Sequence, residues 1–218
     1  MSVVHCWVLV TALGPCALAH SQSPAHAPDT QRGTVVAAQG TAGGIPACAS
    51  CHGQNGASDG SGAFPRIAGQ TASYLSAQLR DFASGLRSSD VMSPIAKMMS
   101  PDDIADTSAY YASVQAPFPP PRPADSGLIE RGAALATTGN AEKRIQSCNN
   151  CHGPGGIGEP PAIPYLAGQY GEYITAALQT WKDDRRRNSS DSMGVIAKQL
   201  DPAEITAVAA YYRQVQPK

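Results

Sequence analysis

Two short stretches hold the residue types that do chemistry. "ACASCHG", residues 47 to 53, sets Cys48 and Cys51 three positions apart with His52 directly behind, and "SCNNCHG", residues 147 to 153, repeats the arrangement with Cys148, Cys151 and His152. Such a cluster suits four chemistries: a disulfide, a redox dithiol, part of a zinc site, or an anchor for haem. A redox dithiol belongs in a setting of alternating strands and helices, and strand signals are weak throughout this chain. Structural zinc takes four ligands, whereas Cys-Cys-His supplies at most three. Pooling both clusters into one site would leave the repetition of everything around them unexplained.

The remaining cysteines narrow the choice. Of six, Cys6 and Cys16 fall in the first 19 residues, an apolar run without Asp, Glu, Lys or Arg that ends in "ALA" at 17 to 19. The run reads as a secretory signal peptide, residues 1–19, cut near Ala19, with a second small-x-small site at Ala25-His26-Ala27. Gly14-Pro15 interrupts it, against a permanent membrane helix, and Pro15 directly before Cys16 argues against a lipid-anchor cysteine. Once the leader is removed, no cysteine is left to staple distant parts of the chain together. Cys-x-x-Cys-His then reads as covalent haem attachment: the thiols form thioethers to the vinyl groups and the adjacent histidine becomes an iron ligand.

The elements around the clusters are written twice. "QRGTVVAAQG" (31–40) lies over "ERGAALATTG" (130–139) at a shift of 99, and "PRIAGQTASYLSAQL" over "PYLAGQYGEYITAAL" at the same shift. "SSDVMSPIAKMMSPDDIADTSAYYASVQ" lies over "SSDSMGVIAKQLDPAEITAVAAYYRQVQ" at 101. This is a tandem duplication, with one domain over 28–115 and another over 127–218. Between them, "APFPPPRPADS" (116–126) predicts a stiff, extended connector that holds the domains apart but near. Each half reads as helical: a short Gly-containing helix (29–40, 127–138), an apolar-periodic one (71–84, 170–184), and a final helix. That last helix opens on Ser100-Pro101-Asp102-Asp103 or Asp201-Pro202-Ala203-Glu204, an N-cap, a proline and an acid. Gly33 and Gly132 would let the first helix cross close to a tyrosine of the last, among Tyr110, Tyr111, Tyr211 and Tyr212. Aromatic residues are only 6% of the chain, so cores this thin suit domains filled by a large apolar cofactor.

A haem iron needs a sixth ligand or an open position. His52 and His152 are the only histidines beyond the leader region, so methionine is the remaining soft donor. Met193 is the only methionine in the second half and falls on Met92 in the repeat alignment, which favours that pair. Met98 and Met99 align with Gln199 and Leu200, and Met99 reads as a core position. His/Met ligation leaves no vacancy for a substrate, which points to carrying electrons and not to catalysis.

Net charge is −1, which disfavours a nucleic-acid partner. The first domain has 5 basic against 7 acidic residues and the second 10 against 9, so the second haem is expected to be the easier to reduce. The densest charged run, "KDDRRR" (182–187), reads as a solvated helix end.

The duplicated set, CxxCHG, then P-x-hydrophobic-AGQ, a Tyr, and M-x-x-hydrophobic-A before a capped final helix, resembles the di-haem cytochrome c4 family over nearly the whole mature chain. The resemblance implies an all-α fold of two class I cytochrome c domains about a pseudo-twofold axis, with haem propionates near their interface. Two covalently bound haem c groups would be held by Cys48, Cys51, Cys148 and Cys151, with His52, Met92, His152 and Met193 as axial iron ligands. Pro65 and Pro164 would support the histidines, and any propionate contact at Arg66 would be missing at Tyr165. The implied role is a periplasmic shuttle between a respiratory donor, either a quinol-oxidising membrane complex or a dehydrogenase, and a haem-copper terminal oxidase. Peripheral membrane contact would follow from such partners. The alternative is the di-haem subunit of a larger enzyme such as a flavocytochrome c sulfide dehydrogenase.

Overall fold

The computed structural model describes residues 27–189 and 191–216, so the expected leader lies outside the described residues. Each half is a set of five helices in the same order. The first half has α1 (Thr30–Gln39), α2 (Ala49–His52), α3 (Ala72–Ser84), α4 (Met92–Met98) and α5 (Pro101–Ser113). The second has α6 (Ser126–Thr137), α7 (Asn149–His152), α8 (Gly171–Lys182), α9 (Met193–Gln199) and α10 (Pro202–Gln214). Only isolated β-bridges occur among the described residues.

The starts of α5 and α10 follow from sequence. Ser100 accepts from the Asp103 N–H at 3.0 Å while Asp103 reaches back to the Ser100 N–H, and Asp201 with Glu204 does the same. Two orphan donors are satisfied at each end, and the proline at the first helical position has no N–H to lose. The short helices α4 and α9, each headed by a methionine, were not signalled by periodicity, being seven residues long.

Within each domain the first helix packs on the last, α1 on α5 and α6 on α10. Glycine makes this approach possible: a methyl at Gly33 would sit inside the van der Waals radius of the Asp106 carbonyl, and at Gly132 inside that of Ala207. Each also faces a tyrosine Cβ, Tyr110 and Tyr211 respectively, which settles which tyrosines the crossing brings close. In the first domain Arg32 adds an ion pair to fully buried Asp106, where the second has Ala207. The second-domain core gathers Ile174, Leu178, Trp181, Ile205, Val208 and Tyr212 from α8 and α10, with Cys148 and Met193 packed against it.

The connector's suggestion of domains held apart is corrected, and the arrangement about a pseudo-twofold that the resemblance implies is what occurs: the domains meet directly. Gln169 Oε1 accepts from the Arg66 N–H and its Nε2 donates to the Arg66 carbonyl, both at 2.9 Å. Gln70 treats the Tyr165 backbone the same way, at 3.3 and 3.4 Å. A side-chain amide thereby mimics a peptide group in both directions. Because Gln70 and Gln169, and Arg66 and Tyr165, are equivalent positions, the two clamps are related by a pseudo-twofold. The proline-rich connector is extended and also fastened. Arg66 donates to the carbonyls of Ala116 (2.5 Å) and Pro117 (2.8 Å), Gln214 to that of Arg122 (2.6 Å), and Gln216 to that of Pro119 (3.3 Å).

Gly132→Ala tests the helix crossing. Alanine gains about 1 kcal/mol of helix propensity over glycine, but the obstructing atom is a backbone carbonyl that moves only with α10. A net loss of about 1–3 kcal/mol is expected, read as a lower denaturant midpoint by far-ultraviolet circular dichroism.

Candidate functional site: two Cys-x-x-Cys-His pockets

Helices α2 and α7 are single turns set by the cluster itself. The His52 N–H donates to the Cys48 carbonyl and the His152 N–H to that of Cys148, both at 2.9 Å. One turn places residues i and i+3 on one face, so Cys48 and Cys51, and likewise Cys148 and Cys151, present their thiols together with the histidine beside them. All four cysteines are free of disulfides. Burial pushes the Cys48 and Cys148 thiols up from their ordinary value.

Each turn ends on a glycine with φ of +75°, Gly53 and Gly153, where the chain reverses. The returning loop is pinned by Ser58 N–H to the His52 carbonyl and Gly158 N–H to the His152 carbonyl, both 2.7 Å. Further along, that loop delivers a proline carbonyl to the imidazole: His52 Nδ1 lies 3.1 Å from Pro65 O and His152 Nδ1 2.9 Å from Pro164 O. A carbonyl can only accept, so Nδ1 carries the proton and Nε2 keeps a bare lone pair. Both rings are buried, at 8% and 7% exposure. Burial holds both imidazoles below the usual histidine range, against the opposing pull of the proline hydrogen bond, and at His152 the Arg186 charge adds to the lowering.

Met92 and Met193 are the first residues of α4 and α9, both half-buried, with α4 packed on α3 and α9 on α8. Met98 is 47% exposed, and half-buried Met99 ends the helix, so the core position expected for Met99 is only partly realised. The pooled-zinc arrangement fails: among the described residues no group of three or more His, Cys, Asp or Glu could hold a metal ion. What remains in each half is a pair of unpaired thiols, a buried imidazole locked with Nε2 free, and a thioether at a matching helix start. This donor set fits a covalently attached haem, with the thiols for its vinyl groups and the nitrogen and sulfur for its iron.

The Arg66 guanidinium binds connector carbonyls and lies over the Phe118 ring at 4.4 Å, so it braces the connector. Its counterpart Tyr165 donates to the Ala68 carbonyl at 2.9 Å. Sequence reading assigned no role to Gln70, Gln169 or Arg87, for which the repeated "AGQ" was the available signal at the glutamines; the solvated helix end expected at 182–187 is corrected at Arg186, which is 4% exposed and donates to Tyr74 and Gln78 of the other domain. The tyrosines of the last helices also differ. Tyr212 donates to Asn149 Oδ1 at 2.9 Å, whereas Ala49 stands in the first repeat and the Tyr111 hydroxyl is buried without a partner.

Tyr212→Phe leaves a buried amide oxygen short of a donor and is expected to cost about 1 kcal/mol. Tyr111→Phe removes an unsatisfied hydroxyl and is expected to be neutral or slightly stabilising. Denaturant midpoints of the two variants check the contrast.

The family model described as cytochrome c matches twice, at residues 32–115 and 129–216. A thiosulfate dehydrogenase electron acceptor of Stutzerimonas stutzeri is 38% identical over 79% of this chain and 80% of its own. Cytochrome c4 of Pseudomonas aeruginosa is 32% identical over 93% and 94%. Among solved structures, thiosulfate dehydrogenase of Marichromatium purpuratum superposes with a TM-score of 0.80 at 40% identity, covering 86% of this chain and 40% of that longer one. Reduced cytochrome c4 of Pseudomonas stutzeri gives 0.75 at 28%, covering 87% and 100%. The pockets, their duplication and these likenesses agree: the chain belongs to the cytochrome c family, as a di-haem electron carrier of the cytochrome c4 type.

Proposed function

We propose that this chain is an exported, periplasmic carrier that takes electrons from a thiosulfate-oxidising dehydrogenase and passes them to a terminal oxidase. Two relatives named thiosulfate dehydrogenase electron acceptors support the donor, each 38% identical to this chain. A thiosulfate dehydrogenase structure that contains a matching stretch supports it further. The subunit reading thus keeps its form, with thiosulfate in place of sulfide as the oxidised compound. The chemistry agrees in electron count: joining two thiosulfate ions through a new S–S bond yields tetrathionate and releases two electrons. Two one-electron sites accommodate both.

When bound, each haem supplies one reversible electron step at its iron. Cys48, Cys51, Cys148 and Cys151 would hold the macrocycles covalently. His52 and His152 would offer Nε2 to the iron, and Met92 and Met193 would offer their sulfurs. The Pro65 and Pro164 carbonyls hold the Nδ1 protons, so each imidazole keeps one orientation and one tautomer through both oxidation states. The observation that carries the reading is this pair of equivalent pockets beside the thiosulfate dehydrogenase relatives.

Cys148→Ala with Cys151→Ala is expected to leave one haem on the purified mature protein, seen as the loss of one haem mass. Met193→Ala should abolish the sulfur-to-iron absorption of the second domain at the red end of the spectrum and spare that of the first; both bands surviving would overturn the ligand assignment. For the donor, ferric protein is mixed without oxygen with thiosulfate and a catalytic amount of thiosulfate dehydrogenase. Both haems should reduce, and neither with thiosulfate alone. Reduction by a quinol-oxidising complex but not by this mixture would refute the proposed donor.

A further inference from the structure

Where the connector crosses the two domains, the three enclose a cleft of about 400 Å³. Arg66 and Val114 of the first domain line it, with Phe118 of the connector and Ile157 and Tyr165 of the second domain. That volume is in the range of small-molecule sites, which are mostly apolar with a few polar groups that fix orientation. Ile157, at 54% exposure, is one of the large hydrophobic side chains that the fold leaves open to solvent. Tyr165 occupies the position equivalent to Arg66, so the pseudo-twofold does not give the second domain a matching guanidinium.

Arg66 brings an unbalanced charge to this cleft. The residue is 3% exposed, and among the described residues no carboxylate forms an ion pair with it. Its Nη1 and Nη2 donate to the connector carbonyls, whereas its Nε is buried without a hydrogen-bond partner among those residues. The Phe118 ring and the two carbonyls solvate the cation but carry no net charge to cancel it. Tyr165 is no counter-ion either: burial pushes its phenol up from the usual tyrosine value, so the hydroxyl stays protonated and donates to the Ala68 carbonyl. A buried cation without an anion is costly, and a buried N–H without an acceptor is rare. Arginine grips a carboxylate through two parallel N–H bonds along one edge of its fork, and Nε lies on such an edge.

We propose that this cleft is a binding site for a small organic carboxylate, with its charged end paired to Arg66 and its apolar body among Val114, Phe118 and Ile157. The walls select against an inorganic oxyanion. Sulfate, phosphate or thiosulfate would lose hydration against three apolar side chains and would have no apolar surface of its own to bury in return. An occupant here touches the connector and both domains at once, so its binding stabilises the docked arrangement by mass action. The site is independent of what donates electrons to the protein.

Benzoate is the probe, titrated calorimetrically into the reduced, haem-loaded protein. Saturable binding of one benzoate per chain is expected, with a raised thermal midpoint and a shifted Arg66 Nε–H resonance in protein labelled with nitrogen-15 arginine. Benzyl alcohol keeps the ring and lacks the charge, and phosphate and thiosulfate keep the charge and lack the ring; each should bind about tenfold more weakly or less. Arg66→Met should weaken benzoate by a similar factor. Because Arg66 also holds the connector, a second variant leaves those bonds in place: Ile157→Glu sets a carboxylate in the cleft wall at an exposed position and should weaken benzoate about as much. Circular dichroism and haem absorbance check that both variants are folded. Absence of saturable benzoate binding would overturn the proposal, as would binding that both variants leave unchanged. Benzyl alcohol binding as tightly as benzoate would reduce the site to an apolar crevice, and phosphate or thiosulfate binding more tightly would make it an inorganic-anion site; either result refutes the organic carboxylate.

Discussion

The rest of the structure depends on one hydrogen bond made twice, from histidine Nδ1 to a proline carbonyl. It fixes which ring nitrogen is bare and where that nitrogen points, and little in a single helical turn could do so alone. To place Pro65 and Pro164 there, the chain must reverse at Gly53 and Gly153 and return along the pocket. The return is secured further on, where Gly69 N–H donates to the Tyr111 carbonyl at 2.8 Å and Gly168 N–H to that of Tyr212 at 2.9 Å. Those tyrosines sit on α5 and α10, whose position is set by the glycine crossings with α1 and α6. Capping boxes, crossings and loops thus form one chain of support that ends at an imidazole.

Duplication copied this chain of support, and substitution then differentiated the copies where polar groups are buried. Asp106 stands against Ala207, Ala49 against Asn149, Phe82 against Trp181, and Gln78 against Ala177. Each changes the number of donors, acceptors or charges in a place shielded from water, where such groups act strongly on a neighbour. Gln78 shows the effect: its Oε1 accepts from Arg87 (2.8 Å), Arg186 (2.7 Å) and Asn188 (3.2 Å), while alanine on the opposite side accepts from none.

The interface also gives the connector its meaning. Prolines make it extended on their own account, since their φ is restricted. Extension alone would leave the domains free to swing. Its carbonyls, which prolines leave without local N–H partners, are taken instead by Arg66, Gln214 and Gln216 from the two domains it joins. The connector is therefore a strap laid across a contact already made by Gln70 and Gln169.

What the sequence determined by itself was whatever is governed by short spacing or by repetition. Cys-x-x-Cys-His is a local geometry, so attachment chemistry was legible at Cys48 and Cys148 without a fold. The caps at Ser100 and Asp201 were equally local, and the repeat alignment brought Met92 and Met193 to matching positions. The seven-residue helices that those methionines begin were too short to show a period. Only the tertiary structure decided that Arg66 serves the connector, that Arg87 faces Arg186, and which side chains join the domains. The contacts between domains link residues about a hundred positions apart, and those of Arg66 with the connector about fifty. An alignment of repeats shows which residues are equivalent, but equivalent residues need not meet. Whether they do is set by how two folded surfaces dock, and buried charge and hydrogen-bond satisfaction across that surface settle the docking.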